Sequence, residues 1–374
     1  MELTDDIRYM QQALALAREG VGLASPNPTV GCVLVKDDRV VGRGFHMYEH
    51  RDHAEIVALK EAGGEAEGAT AYVTLEPCSH HGRTGPCADA LIHARVGRVV
   101  AATVDPNPQV AGQGLARLAQ AGIQVTAGVL QEEARALNKA FAKWIVTGSP
   151  YVVLKAALSV DGYLAPPPQR RHTQEPHWLT GAAARAHVQQ MRHASDAILT
   201  GIGTALADSP LLTDRTNLPR RRKLLRVILD THLRLPLSSK LVASAADDLL
   251  VLCHESASTA SEDALIELGV QVERIQSPHQ HIDLINALRA LAERQITSVL
   301  LEGGSRLNAA FLASDLVDEV DLFYADAELG HGAVPFAEGG PSPYLLEQRL
   351  SRLSKAEFGS DTLVTGYLRD PWGR

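Results

Sequence analysis

Residues 71–103 read AYVTLEPCSHHGRTGPCADALIHARVGRVVAAT. The apolar run 71–75 predicts a buried strand, 87–94 a helix, and the Val- and Ala-rich 98–103 a second strand. Strand, helix and strand in that order predict an α/β domain with helices layered on a sheet. The alternation extends both ways. Upstream, Ile7, Met10, Leu14 and Ala17 recur at helical spacing, so 4–18 predicts an amphipathic helix. The runs 31–35 and 40–44 flank the polar turn 36–39 as a hairpin, and 54–62 predicts a helix. Downstream come a helix at 114–121, a strand at 124–127 and one continuous helix over 131–147 that ends at Gly148-Ser149-Pro150. A fresh apolar run at 151–154 sets a boundary there, so the expected domains are 1–148 and 149–374. The second half alternates again, with helices at 184–193 and 282–295 and strands at 197–200, 226–230, 248–253 and 298–301, as in a parallel-type sheet. The Pro- and Arg-rich stretches 165–171 and 215–226 predict surface loops.

Composition agrees with a two-domain globular chain: 374 residues, 45% hydrophobic, 21% charged, mean hydropathy −0.06. The net charge of −8 is opposite to that of a typical nucleic-acid binder, so no nucleic-acid partner is expected. No stretch approaches the ~18 apolar residues of a membrane span, and the acidic opening is unlike a signal peptide, which predicts a cytoplasmic protein without a membrane partner. Four cysteines, Cys32, Cys78, Cys87 and Cys253, make no disulfide framework in a chain of this length.

Three of the residues that chemistry would use stand at element boundaries. His53-Ala54-Glu55 opens a predicted helix, Pro77-Cys78 follows a strand, and Pro86-Cys87 opens the next helix. One imidazole and two thiolates suit Zn²⁺, and three protein ligands leave a fourth position for water, as in catalytic sites. A carboxylate two residues from the His is placed to shuttle protons. His-x-Glu followed by Pro-Cys and a second Cys is the zinc-deaminase signature, in which the Glu is acid/base and not a ligand. Here eight residues separate the two Cys instead of two. Cys32 lies in an apolar run and reads as core, while His46, His50, His80 and His81 lie in predicted loops as solvated or substrate-facing side chains.

Together with Asn27-Pro28-Thr29-Val30-Gly31, the stretch from Thr74-Leu75-Glu76-Pro77-Cys78 to Thr84, and Asp105-Pro106-Asn107-Pro108, these motifs resemble the bacterial bifunctional riboflavin-biosynthesis deaminase/reductase family over essentially the whole chain. The long Cys spacing belongs to that family. The resemblance implies an N-terminal cytidine-deaminase-like α/β/α domain followed by a dihydrofolate-reductase-like α/β domain. It implies zinc-dependent hydrolytic deamination of a diaminopyrimidinone carrying a phosphoribosylamino group, then NADPH-dependent reduction of the ribosyl group to ribityl. On this resemblance the zinc ligands fall on His53, Cys78 and Cys87, the proton shuttle on Glu55, and a base-edge contact on Asn27. Gly85 departs from the family, where Pro is commoner.

No G-x-G-x-x-G follows a strand, so an ordinary dinucleotide-binding fold is not signalled. Val299-Leu300-Leu301-Glu302-Gly303-Gly304-Ser305 instead runs from a strand through two glycines into a helix, where backbone N–H groups can approach an anion. Gly304 reads as a residue of a turn that needs positive φ. The stretches 159–162 and 200–213 are similar to the reductase half of the same family. The resemblance puts NADPH contacts on Ala157, Trp178, Thr204, Asp208, Thr231, Gly304, Ser305, Arg306, Leu307, Asn308, Ala309 and Ala310. It puts substrate contacts on Arg192, Leu212, Arg215 and Glu302; guanidinium forks suit a ribose phosphate. Lys155 and Asp161 are unranked candidates for the reductase proton donor. Pro176-His177 before Trp178 and the Arg-bearing insertion 166–171 depart from the family.

Two other readings remain open at this point. One is a zinc deaminase of another base, nucleoside or tRNA, with an inactive reductase-like domain, against which the acidic balance and the whole second half count. The other is a zinc-stabilised scaffold, against which Glu55 and the missing fourth ligand count. Homo-oligomerisation is left open by the sequence.

Overall fold

The computed structural model describes residues 2–80, 85–167 and 178–373. The chain divides into two compact units, one of residues 1–148 with Pro219–Arg222, the other of Ser149–Leu218 with Lys223–Gly373. Among the described residues no helix is long and apolar enough to cross a membrane.

The first unit contains, in chain order, α1 (Glu2–Glu19), β1 (Gly31–Lys36), β2 (Arg39–Phe45), α2 (Ala54–Ala62), β3 (Thr70–Val73), α3 (Cys87–His93), β4 (Arg98–Ala101), α4 (Gln113–Gln120), β5 (Gln124–Ala127), α5 (Gln131–Leu137) and α6 (Lys139–Thr147). Its sheet runs β2-β1-β3-β4-β5, with β1 antiparallel to both neighbours and β3, β4 and β5 parallel. Alternation along β1 sorts the two faces. Cys32 and Leu34 pack with Ala54, Ala58, Leu91 and Leu118 of α2, α3 and α4, while Val33 and Val35 pack with Tyr9, Met10 and Leu14 of α1. The result is an α/β/α sandwich in which Cys32 is core.

The expected continuous helix over 131–147 is two helices. Asn138, at φ −117°, breaks it because its buried amide is used elsewhere: Oδ1 accepts from Thr29 N at 2.7 Å and Nδ2 donates to Thr29 O at 3.0 Å. This clamp fixes the segment that carries Asn27.

The second unit contains β6 (Tyr151–Ser159), β7 (Tyr163–Ala165), α7 (Ala182–Ala194), β8 (Ala197–Gly201), α8 (Ile202–Asp208), β9 (Leu225–Leu229), α9 (Lys240–Ala243), β10 (Leu249–His254), α10 (Thr259–Glu267), β11 (Gln271–Ile275), α11 (Leu284–Glu293), β12 (Ser298–Leu301), α12 (Ser305–Ala313), β13 (Glu319–Ala325), β14 (Val334–Pro335), α13 (Pro343–Glu347), β15 (Ser351–Phe358) and β16 (Asp361–Tyr367). Nine strands form one sheet in the order β11-β10-β9-β8-β12-β6-β13-β16-β15, parallel from β11 to β13 and antiparallel beyond. The stretch 215–226 is not surface loop throughout. Arg226, on β9, is 1% exposed and pairs with Asp248 at 2.7 Å while donating to Ser244, which compensates its burial. Of the insertion, residues 168–171 lie outside the described residues, as do Pro176 and His177.

Helix α4 sits close under the Pro77-Cys78 loop. A Cβ on Gly114 would lie 1.9 Å from Pro77 O, a backbone atom that cannot swing aside. Gly114→Ala is therefore expected to destabilise the first unit by about 3 kcal/mol, the upper range for overpacking, seen as a lowered unfolding midpoint in denaturant.

Candidate active site

In the first unit two helix starts face each other. His53 is the N-cap of α2, extended at φ −75° and ψ 162°, and its ring is not spent on capping. Cys87 is the first residue of α3 after Pro86, and Cys78 lies beside it: Ala88 N donates to Cys78 O at 3.1 Å and Cys87 N to Cys78 Sγ at 3.3 Å. His53 Nδ1 lies 3.1 Å from Cys87 Sγ and 3.5 Å from Cys78 Sγ, and the three donor atoms all fall within 4.8 Å of one another. Zinc bonds of about 2.0 Å to nitrogen and 2.3 Å to sulfur at a tetrahedral angle put N and S roughly 3.5 Å apart. The donor set and its spacing fit the ion. Among the described residues no other three His, Cys, Asp or Glu side chains converge this way.

The electrostatics follow from the crowding. Hydrogen bonding to Cys87 draws the Cys78 thiol down to about 4 against its burial, with His53 assisting, which favours the thiolate that a metal needs. Glu55, 3% exposed, is turned into the same pocket, where its carboxyl hydrogen-bonds the Cys87 side chain. Burial pushes that carboxyl up to about 7 against the pull of His53.

Asn27 is brought to this site by His46, which the sequence presents as a solvated or substrate-facing loop residue. His46 is 3% exposed, with its ring edge-on to that of His53 at 5.3 Å. Its Nδ1 bonds Asp52 O at 2.8 Å and its Nε2 meets Asn27 Nδ2 at 3.0 Å. A carbonyl only accepts, so Nδ1 carries the proton and Nε2 takes that of Asn27. Asn27 Oδ1 is thereby left as the acceptor for a ligand. His50 and His80 are exposed, and residues 81–84 lie outside the described residues.

Glu76 has a role that its motif alone did not reveal. Its buried carboxylate accepts from Asp105 N (3.1 Å), Gly112 N (2.8 Å), Gly114 N (2.8 Å) and Leu115 N (3.2 Å), and so ties the 105–115 loop beneath Cys78.

In the second unit the expected residues gather at the carboxyl ends of neighbouring parallel strands, where open α/β sheets bind ligands. Glu302 follows β12, and Lys155 stands on the adjacent β6, Nζ to Oε2 at 3.6 Å. Arg192 of α7 donates from Nε (2.7 Å) and Nη2 (3.1 Å) to the Glu302 carboxylate and from Nη1 to Thr213 O at 3.1 Å. Against the push of burial, Lys155 and Arg192 hold the Glu302 carboxyl down at about 2. The Arg192 fork is thus spent on Glu302, whereas the exposed Arg215 guanidinium has no partner among the described residues and only its backbone N–H is used, by Gln189. Leu212 is buried. Asp161 accepts from Leu329 N and Gly330 N and so fixes a loop, whereas Lys155 Nζ faces the Glu302 carboxylate.

Gly304 has φ −82°, so positive φ is not what it supplies. Space is. A Cβ on Gly303 would lie 2.4 Å from Asn308 Oδ1, and one on Gly304 3.0 Å from Thr204 Oγ1. Ser305 Oγ and Asn308 Oδ1 are buried polar atoms without a partner at the start of α12. An open turn, an orphaned hydroxyl and a helix N-terminus fit a cofactor phosphate. Ala157 on β6, Thr204 on α8 and Thr231 after β9 line the same sheet edge, with Asp208 exposed at the end of α8. Trp178 is 59% exposed with the Arg185 guanidinium 5.2 Å from its ring centre. Arg306 points away to Glu338 at 2.9 Å, and Leu307, Ala309 and Ala310 continue α12.

Comparison with known proteins gives these two sites a class. Residues 3–103 match the model for the cytidine and deoxycytidylate deaminase zinc-binding region, and residues 150–364 match the RibD C-terminal domain. The chain is 40% identical over 364 residues to the riboflavin biosynthesis protein RibD of Actinobacillus pleuropneumoniae, covering 97% of this chain and 95% of that one. It is 43% identical over 339 residues to its Escherichia coli namesake, covering 88% and 89%. Among solved structures, RibD of Acinetobacter baumannii superposes with a TM-score of 0.82 at 40% identity over 98% of this chain and 99% of that one. A Thermotoga maritima diaminohydroxyphosphoribosylaminopyrimidine deaminase/5-amino-6-(5-phosphoribosylamino)uracil reductase does so with a TM-score of 0.82 at 34% identity, covering 98% and 99%. A zinc-binding deaminase region joined to a reductase domain of dihydrofolate-reductase-like fold defines a bifunctional enzyme, a hydrolase and an NADPH-dependent oxidoreductase in one chain. The chain belongs to the RibD family of riboflavin-biosynthesis proteins.

Proposed function

We propose that residues 1–148 hydrolytically deaminate a diaminopyrimidinone bearing a phosphoribosylamino group, and that residues 149–374 then reduce the ribosyl group of the product to ribityl. The observation that carries this is the pairing, in one chain, of Glu55 beside the His53–Cys78–Cys87 donor set with a Lys155–Glu302–Arg192 cluster beside the open Gly303-Gly304 turn. The named activities of the Thermotoga maritima relative support the substrate class. A net charge of −8 supports small-molecule rather than nucleic-acid substrates, and four free cysteines, two of them zinc ligands, support a reducing, cytoplasmic setting.

His53, Cys78 and Cys87 hold zinc, which when bound acts as a Lewis acid that lowers the pKa of an attacking water to about 7. Glu55 takes the proton of that water and delivers it to the departing amine, so one carboxylate serves as base and then acid. Asn27, oriented by His46, offers Oδ1 to the donor edge of the base. In the second unit Gly304 to Ala310, with Ala157, Trp178, Thr204, Asp208 and Thr231, hold NADPH, which when bound supplies the hydride. Reduction breaks the ring C–O bond and adds hydrogen at carbon and a proton at oxygen. Lys155 Nζ, oriented by Glu302, is the proton source, since the Asp161 carboxylate is already engaged by two backbone N–H groups. Arg215 grips the phosphate, with Leu212 packing beneath it.

Arg215→Ala is expected to raise KM for the phosphorylated substrate about tenfold, the worth of one charge-assisted contact, with NADPH affinity and thermal unfolding unchanged. Arg192→Ala should also lower stability, because it leaves the buried Glu302 short of a partner. Reductase kinetics and melting curves of the two variants check this. Incubating the full chain with the diaminopyrimidinone substrate and identifying products by mass tests the whole proposal. The deaminated product is expected without NADPH and the ribityl product only with it; unchanged substrate in both would overturn it.

A further inference from the structure

Beyond the expected cofactor residues, the carboxyl edge of the nine-stranded sheet continues into a cavity of about 690 Å³ that includes His232, His254, Ser256, His279 and His281 in its wall. These residues lie at or just past the carboxyl ends of β9, β10 and β11, three adjacent parallel strands. No carboxylate lines it. His254, 8% exposed, is the strut: its Nδ1 accepts from Ser256 N at 3.1 Å and its Nε2 donates to His279 O at 2.9 Å, which ties the loop after β11 to the end of β10. The imidazoles of His279 and His281 stack with centres 5.4 Å apart and planes 11° apart. Together with His232 they are exposed, and among the described residues none of the three side chains has a hydrogen-bond partner. Three imidazoles, in a wall without a carboxylate, form a receptor for a phosphate monoester dianion, each offering a ring N–H as donor.

The position of the cavity says which phosphate. On the proposed function the reaction takes place at the Lys155–Glu302–Arg192 cluster on β6 and β12, which puts the reacting end of the cofactor there. The Gly303-Gly304 turn and Thr204 continue along the edge to β8, and Thr231 to β9. A dinucleotide laid on these residues runs toward β10 and β11, and at about 4.8 Å per strand the cavity begins one to two strands beyond Thr204. NADPH differs from NADH only by a phosphate monoester on the adenosine ribose, at the end remote from nicotinamide. We propose that this cavity receives the adenosine phosphate of NADPH, and that His232, His279 and His281 are the residues that select NADPH over NADH. The proposal rests on the reading of this unit as an NADPH-dependent reductase.

Titrating NADPH and NADH separately into the full chain, and into His232→Gln and the double variant His279→Gln/His281→Gln, tests it. The wild type should prefer NADPH, and the double variant should lose about tenfold in NADPH affinity while NADH affinity and melting temperature stay put. Unchanged NADPH affinity in both variants, an equal loss for both cofactors, or a wild type without preference would each overturn the cavity assignment alone. A wild type that binds neither cofactor would overturn the reductase reading, and this inference with it.

Discussion

Glu55→Gln is expected to lower the deamination rate by about 10⁴-fold, the upper range for removing a positioned acid/base, while leaving one zinc per chain and the NADPH-dependent step intact. The substitution is isosteric, so the buried space beside Cys87 stays filled and the His53–Cys78–Cys87 donor set is untouched. What is lost is a group that can take and return a proton. Because that exchange belongs to the transition state, the loss should fall on kcat rather than KM. Metal analysis separates this outcome from a collapsed site: a variant without zinc would place Glu55 among the structural residues. Deamination at the wild-type rate would overturn the proton-shuttle role and return the metal to a scaffold.

What could be read from residue order and what could not divide along a physical line. The donor triad was legible because one His and two Cys stood at three element boundaries, each beside Pro or at a helix start, and local chemistry leaves few uses for such a set. The sandwich and the parallel core of the second sheet were legible because buried strands such as Ser298–Leu301 and Ala197–Gly201 are short apolar runs. Strand β15, Ser351–Phe358, escaped because it is exposed along nearly its whole length and reads SRLSKAEF, without an apolar alternation. The break at Asn138 escaped because its cause lies at Thr29, more than a hundred residues away in sequence. Burial of His46 and Arg226 escaped because the groups that compensate them come from other segments of the fold. Arg192 read as a phosphate fork, yet its nearest anion is the protein's own Glu302. Pattern identifies side chains suited to a ligand; only the fold shows which of them are already taken.

Gly304→Val is expected to weaken NADPH binding by a hundredfold or more while deamination proceeds at the wild-type rate. Gly304 is the N-cap of α12 with φ −82°, a conformation that valine adopts without backbone strain, so the substitution tests space and not chain flexibility. The first atom added, Cβ, already lies 3.0 Å from Thr204 Oγ1, and the two methyl groups beyond it occupy the opening between α8 and α12. Anything bound there must give up the backbone N–H groups at the start of α12 and the orphaned Ser305 Oγ. Several hydrogen bonds to a phosphate at about 1.5 kcal/mol or more each account for the size of the loss. Gly304→Ala is the graded companion, adding only the 3.0 Å contact, and should fall between wild type and valine. A melting curve separates lost space from lost folding, since α12 packs on the sheet through Leu307 and Phe311. If NADPH binds both variants as it binds the wild type, with folding intact, the Gly303-Gly304 turn is a plain strand-to-helix connection and the cofactor lies elsewhere on the sheet edge.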